Sequence, residues 1–163
     1  TVPVVCAVHG FCLGGGIGMC GSADIIVASD DATFGLPEID RGALGAASHL
    51  LRMFPMQKVR RMMFTGEPIT AAEAYRLGAV ESVVKRDDLM TTARELAKKI
   101  ASKSGKAVRL AKESLDGIEL FDLKRSYRFE QGFTLELYTS RDSQEARDAF
   151  VEKRDASFEK QKK

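Results

Sequence analysis

The stretch "LGGGIGMCG", residues 13–21, carries glycine at positions 14, 15, 16, 18 and 21. Three readings compete for it. The spacing of Gly16, Gly18 and Gly21 fits the G-x-G-x-x-G loop that cradles a dinucleotide pyrophosphate, which needs a strand ending at the first glycine and an acid about 20 residues on. Here the strand-like run ends near His9, well before Gly16, and Glu38 lies beyond the strand that it would have to end. A second reading is close packing of a helix on a strand, which explains one or two glycines better than three in a row. The third is a helix start whose unpaired N–H groups, with no Cβ in the way, face negative charge developing on an oxygen.

Outward from this stretch, "VPVVCAVHG" is a short β-branched apolar run and reads as a buried strand. "GGGIGMCGSA" is a tight turn leading into a closely packed helix, and "DIIVASDD" is a second buried strand. "ATFGLPE" reads as extended, with Pro37 keeping Leu36 out of the helical region. A helix follows Gly45, with Leu50, Leu51, Met53 and Phe54 on its apolar side. "MQKVRRMMFTG" is a basic amphipathic helix stopped by Gly66. Thr70 and Glu73 form a capping box for the next helix, with Gly78 at its C-terminal end. "AVESVVKR" is a last short strand. Beyond Asp87 the pattern is helical, over Leu89–Ser102, Lys106–Ile118, Leu123–Tyr138 and from Ser143 onward. The expected organisation is an α/β core over residues 1–86 and a helical extension over residues 87–163.

The chain has 163 residues and a formal net charge of +2, too small to imply a nucleic-acid partner by itself. Its apolar runs are short and broken by glycine or charge, so no membrane span is expected. Cys6, Cys12 and Cys20 form no C-x-x-C pair and favour reduced, buried thiols in a cytoplasmic setting. His9 and His49 lack partners at metal-ligand spacing, so no metal is expected.

"AVHGFCLGGGIGM…ADIIVASDDATFGLPEI" resembles the crotonase superfamily of enoyl-CoA hydratases and isomerases. The resemblance continues through "TGEPITAAEAYRLGAVESVV" and "AVRLAKESL" to "AFVEKRDASF", so it covers essentially the whole chain. It implies a spiral crotonase core followed by a helical extension, with roughly the N-terminal third of a family member missing. It implies that Gly15 donates one of two oxyanion-hole N–H groups, the other coming from an upstream segment, with Gly14 and Gly16 shaping the loop. Glu38, in the F-G-x-P-E motif, becomes the catalytic carboxylate. Phe150 and Lys153 match residues that meet the coenzyme A of a neighbouring subunit, which implies a homo-oligomer, a trimer or a dimer of trimers. The substrate is then an acyl-CoA thioester, with no cofactor beyond the coenzyme A it carries.

The departure from the pattern matters as much. Hydratases of this family carry a second glutamate two residues after the third glycine, and here that position is Gly18. One carboxylate suffices to shuttle a proton on a thioester enolate, or to activate a water that attacks a carbonyl. Asp40 is a possible second acid, since on an extended backbone it would project to the same side as Glu38; pairing with Arg41 or Arg52 is the alternative. "GFC", "SDDATFGLPE", "RGALGAASHL" and "YRFEQGFTLEL" are similar to a branch that hydrolytically opens a ring in steroid-derived CoA thioesters. The competing class is a non-catalytic crotonase-like fragment.

Overall fold

The computed structural model describes residues 2–118 and 123–157. β1 (Val5–Val8) turns into β2 (Phe11–Leu13) through Gly10, whose φ of 59° glycine adopts without strain. The two strands lie in different sheets. β3 (Ile25–Ser29) and β4 (Thr33–Gly35) repeat the step: β3 lies parallel to β1 with Ile25 opposite Val5, and β4 lies parallel to β2 with Thr33 opposite Phe11. The chain therefore coils, passing from the first sheet to the second and returning once per turn.

The first return is α1 (Gly15–Ser22). The second is longer: a 3-10 turn over Pro37–Arg41, then α2 (Ala47–Met53) and α3 (Met56–Thr65). β5 (Ile69–Thr70) pairs antiparallel with β4, and after α4 (Ala71–Arg76) β6 (Ser82–Val84) joins β3 in parallel. Strands covered on both faces explain the continuous apolar reading of residues 25–28, where Val27 and Ala28 are fully buried. Ile17 of α1, Phe34 of β4, Leu50 of α2 and Met62 of α3 meet in the core between the sheets and the returns.

Local signals act where expected. Thr70 Oγ1 accepts from the Glu73 N–H at 3.2 Å, while the Glu73 carboxylate pairs with Lys58 rather than closing the box. Gly66 ends α3 at φ 69°. Two glycines of α1 are packing glycines: a Cβ on Gly16 would meet Cys12 Sγ at 3.3 Å, and one on Gly21 would meet the His49 carbonyl oxygen at 2.5 Å. The Gly21 neighbour is backbone of α2 and cannot step aside. Gly21→Ala should therefore lower stability by about 1–3 kcal/mol, the usual cost of overpacking, seen as a lower urea midpoint with an unchanged slope.

Four more helices complete the described chain: α5 (Leu89–Ala101), α6 (Gly105–Ile118), α7 (Leu123–Tyr138) and α8 (Arg141–Glu152). α5 packs on β1 and β3, α7 on α2, and α8 on the 3-10 turn. Lys112 of α6 reaches Asp24 at 2.6 Å, and Thr134 of α7 donates to the Leu44 carbonyl at 3.2 Å. No helix among the described residues is long and apolar enough to cross a membrane.

Three features differ from the sequence reading. "FCL" forms a strand of its own ahead of the glycine turn, and Ile69–Thr70 a second short one. α8 starts at Arg141, because Ser140 caps it by accepting the Ser143 N–H. Residues 37–41 are a 3-10 turn and not extended, since proline at the first position pre-sets a helical φ.

Candidate active site

α1 opens on Gly14, which takes φ 51° and ψ −110°, a conformation open to glycine alone. The first bond within the helix runs from the Gly18 N–H to the Gly14 carbonyl at 3.2 Å. The N–H groups of Gly15, Gly16 and Ile17 therefore have no acceptor inside the helix and mark its positive end.

Glu38 reaches the same point from the 3-10 turn. Leu36, buried in the core, fixes where that turn begins. A Cβ on Gly14 would lie 2.5 Å from Glu38 Oε1, so the carboxylate rests directly on the Gly14 Cα. Its other oxygen, Oε2, is also buried. A carboxylate able to take a proton thus stands beside N–H groups able to stabilise an oxyanion.

The consecutive glycines now separate by role. Gly14 is required by its backbone and by the carboxylate, and Gly16 by Cys12. Gly15 is exposed, and a Cβ there would meet nothing within 4 Å. No contact in the described chain explains its missing side chain. A Cβ on Gly18 would likewise meet nothing within 4 Å.

Asp40 does not join Glu38. In the 3-10 turn the two side chains diverge, and the Asp40 carboxylate packs on Gly66 at the end of α3, where a Cβ would lie 2.5 Å from Oδ2. The second-acid expectation rested on an extended backbone that the chain does not adopt. Arg41 donates to the Pro37 carbonyl, and Arg52 donates to the Gly21 carbonyl at the far end of α1.

Phe150 lies on α8 with the Arg41 guanidinium 4.8 Å from its ring centroid, which places it against the turn that carries Glu38. Lys153 ends α8 in the left-handed region at φ 54°, uncommon for a residue with a side chain. Arg154 and Ser157 both bind Glu145, which holds the chain after that turn and pulls the Glu145 carboxyl down to about 2. Phe158, at the end of the matching C-terminal stretch, lies outside the described residues.

Cys12 and Cys20 meet at 3.4 Å, with Cys6 3.8 Å from Cys20. Hydrogen bonding to Cys20 lowers the Cys12 thiol, while the Cys20 thiol is pushed up to about 12 by its bond to Cys12. All three are free cysteines, Cys6 on β1, Cys12 on β2 and Cys20 on α1. Arg86 contacts His9 at 3.0 Å, and His49 stacks edge-on against Tyr127. Among the described residues no group of His, Cys, Asp and Glu could hold a metal ion. A cavity of about 670 Å3 lies at the other end of α1 between Gly21, Asp24, Arg52 and Lys112. Two residues with no motif to join them meet behind the turn: Ser143 Oγ donates to the Gly42 carbonyl at 2.6 Å.

A strand-pair spiral that sets a glycine-opened helix start against a carboxylate is a crotonase-fold site. The chain belongs to the enoyl-CoA hydratase/isomerase family, whose profile matches residues 1–161. It is 55% identical over 152 residues to the (7aS)-7a-methyl-1,5-dioxo-2,3,5,6,7,7a-hexahydro-1H-indene-carboxyl-CoA hydrolase of Rhodococcus jostii, covering 93% of this chain and 59% of that protein. The Mycobacterium tuberculosis protein of the same name is 52% identical over 153 residues, with 94% of this chain and 62% of that one covered. The crystal structure of an enoyl-CoA hydratase/isomerase from Pseudoalteromonas atlantica superposes with a TM-score of 0.89 at 28% identity, over 96% of this chain and 64% of the other. The chain thus spans about three fifths of the length of these relatives.

Proposed function

We propose that the protein acts on an acyl-CoA thioester, stabilising a thioester enolate at the start of α1 with Glu38 as its one acid/base. The observation that carries this is the Gly15 position: an N–H at a helix start, with open space where a side chain would be, beside the Glu38 carboxylate. Among reactions of this kind, hydrolytic ring opening of a bicyclic diketone carried on coenzyme A is favoured, because two relatives named as hydrolases of a dioxo-hexahydroindene-carboxyl-CoA are identical to this chain at more than half of the aligned positions.

The chemistry follows from the two groups. Glu38 takes a proton from water as the water oxygen adds to the ring ketone carbon. The adjacent carbon–carbon bond breaks, leaving a carboxylic acid on one side. Its electron pair moves into the thioester as an enolate, whose oxygen the Gly15 N–H holds. Glu38 then returns the proton to carbon, so one water is consumed and the carboxylate is restored. A second acid has no role in this sequence, in keeping with Gly18 and with Asp40 turned away.

Coenzyme A enters as part of the substrate, and no further cofactor is needed. Phe150 and Lys153 fit contacts to the coenzyme A of a neighbouring subunit in a trimer or a dimer of trimers. Supporting this are the exposed Leu110, Leu115, Leu135 and Val151 on the helices of residues 87–163, apolar surface suited to partner subunits. Free thiols suit a cytoplasmic setting.

The test is turnover by the full-length gene product of the dioxo-hexahydroindene-carboxyl-CoA thioester and of crotonyl-CoA. The expected result is a higher kcat/KM for the bicyclic thioester, with a new carboxylate in its product. Faster turnover of crotonyl-CoA would turn the reading toward hydration, and turnover of neither would favour a non-catalytic chain.

A further inference from the structure

We propose that Ser143, on α8, is a positioning residue that holds the Glu38 turn in register with the start of α1; this rests on Glu38 being the acid/base. The chain of contacts is short. The Glu38 carbonyl accepts the N–H groups of Gly42 and Ala43, the latter at 3.0 Å. Gly42 is left-handed at φ 64° and is pressed onto α8, where a Cβ would lie 2.5 Å from Ser143 Cα and 3.1 Å from Ala146 Cβ. Its carbonyl accepts the Ser143 hydroxyl at 2.6 Å, and Ser143 is fully buried.

The hydroxyl is itself held. Arg147 donates to Ser143 Oγ, so the single Ser143 proton is directed at Gly42. The Ser143 N–H is fixed by the Ser140 cap at 3.1 Å. Arg41, at the end of the same turn, stacks over Phe150 one helical stretch further along α8. On the opposite side Asp40 abuts Gly66. The turn bearing Glu38 is therefore gripped between the end of α3 and a helix 101 residues away in sequence.

Without the hydroxyl the Gly42 carbonyl loses its buried donor and the turn is free to shift relative to Gly14. A misplacement of about 1 Å at a catalytic group can cost 10²-fold in rate. A partial shift in Ser143→Ala should lower kcat by about tenfold with KM within about twofold, since the Ser143 side chain is fully buried and offers no surface to a thioester.

A double-mutant cycle on the full-length protein, with the dioxo-hexahydroindene-carboxyl-CoA thioester as substrate, decides the matter. Residues that act as one unit are non-additive. Ser143→Ala should therefore cost little once Glu38→Gln is already present. An equal loss in both backgrounds, or no loss in the wild-type background, overturns the proposal. Should Ser143→Ala fail to fold, Ser143→Cys, near in volume but a weak donor, carries the same cycle. Glu38→Gln with wild-type kcat would overturn the acid/base reading and the proposal together; an inactive Glu38→Gln beside an unaffected Ser143→Ala overturns the proposal alone.

Discussion

Glu38→Gln is expected to leave fold and thioester binding intact while lowering kcat by about 10²- to 10⁴-fold, the usual worth of general acid–base catalysis. The amide matches the carboxylate in shape, so it fits the close approach to the Gly14 Cα. It cannot take a proton from water or return one to carbon. Among the described residues, neither Gly18 nor Asp40 brings a second carboxylate to this corner. Steady-state turnover of the full-length protein checks this, with thioester binding by calorimetry as the control. A kcat within about threefold of wild type would place the acid/base elsewhere.

Gly15→Pro should be benign for the fold and severe for turnover. Gly15 is the first residue of α1, the one helical position where proline is welcome, because its N–H has no helical acceptor. A Cβ there would meet nothing within 4 Å. Gly14, at φ 51° and ψ −110°, lies outside the helical region that a following proline disfavours. The substitution thus deletes one N–H and little else. Removing one oxyanion donor costs about 10² to 10³ in kcat. Gly15→Ala separates the two uses of the glycine, since it keeps the N–H and adds bulk only on the open side. A thermal melt beside the kinetics shows whether Gly15→Pro remains folded.

Much of the core was readable from local signals. Parallel strands write themselves as "VVCAV", of which only Val8 is buried, and "IIVAS", buried from Ile26 to Ser29, and Gly66 and Thr70 punctuate the helices because their backbone and capping demands are local. β2 and β5 span only 3 and 2 residues, too few for an alternation to show, and their existence depends on a partner strand from another turn of the spiral. The glycine stretch and the F-G-x-P-E motif marked Gly15 and Glu38 separately. Their juxtaposition is tertiary, set by the register of β2 against β4. The direction of Asp40 depends on the local backbone, which an extended reading would turn toward Glu38 and which Pro37 makes a 3-10 turn. The Gly42–Ser143 bond joins two residues 101 positions apart and has no local signature.

The most direct test of an oxyanion hole at Gly15 is the carbonyl stretch of a bound, carbonyl-labelled dioxo-hexahydroindene-carboxyl-CoA thioester, measured by isotope-edited infrared spectroscopy. The Glu38→Gln protein serves as host, so that the substrate persists. A polarising N–H at the start of α1 predicts a lower carbonyl frequency in the bound thioester than in solution, and recovery of much of that shift in Glu38→Gln/Gly15→Pro, with the thioester still bound. An identical carbonyl frequency in the two folded, thioester-loaded proteins would contradict it, because the oxygen would then be held by groups other than the Gly15 N–H.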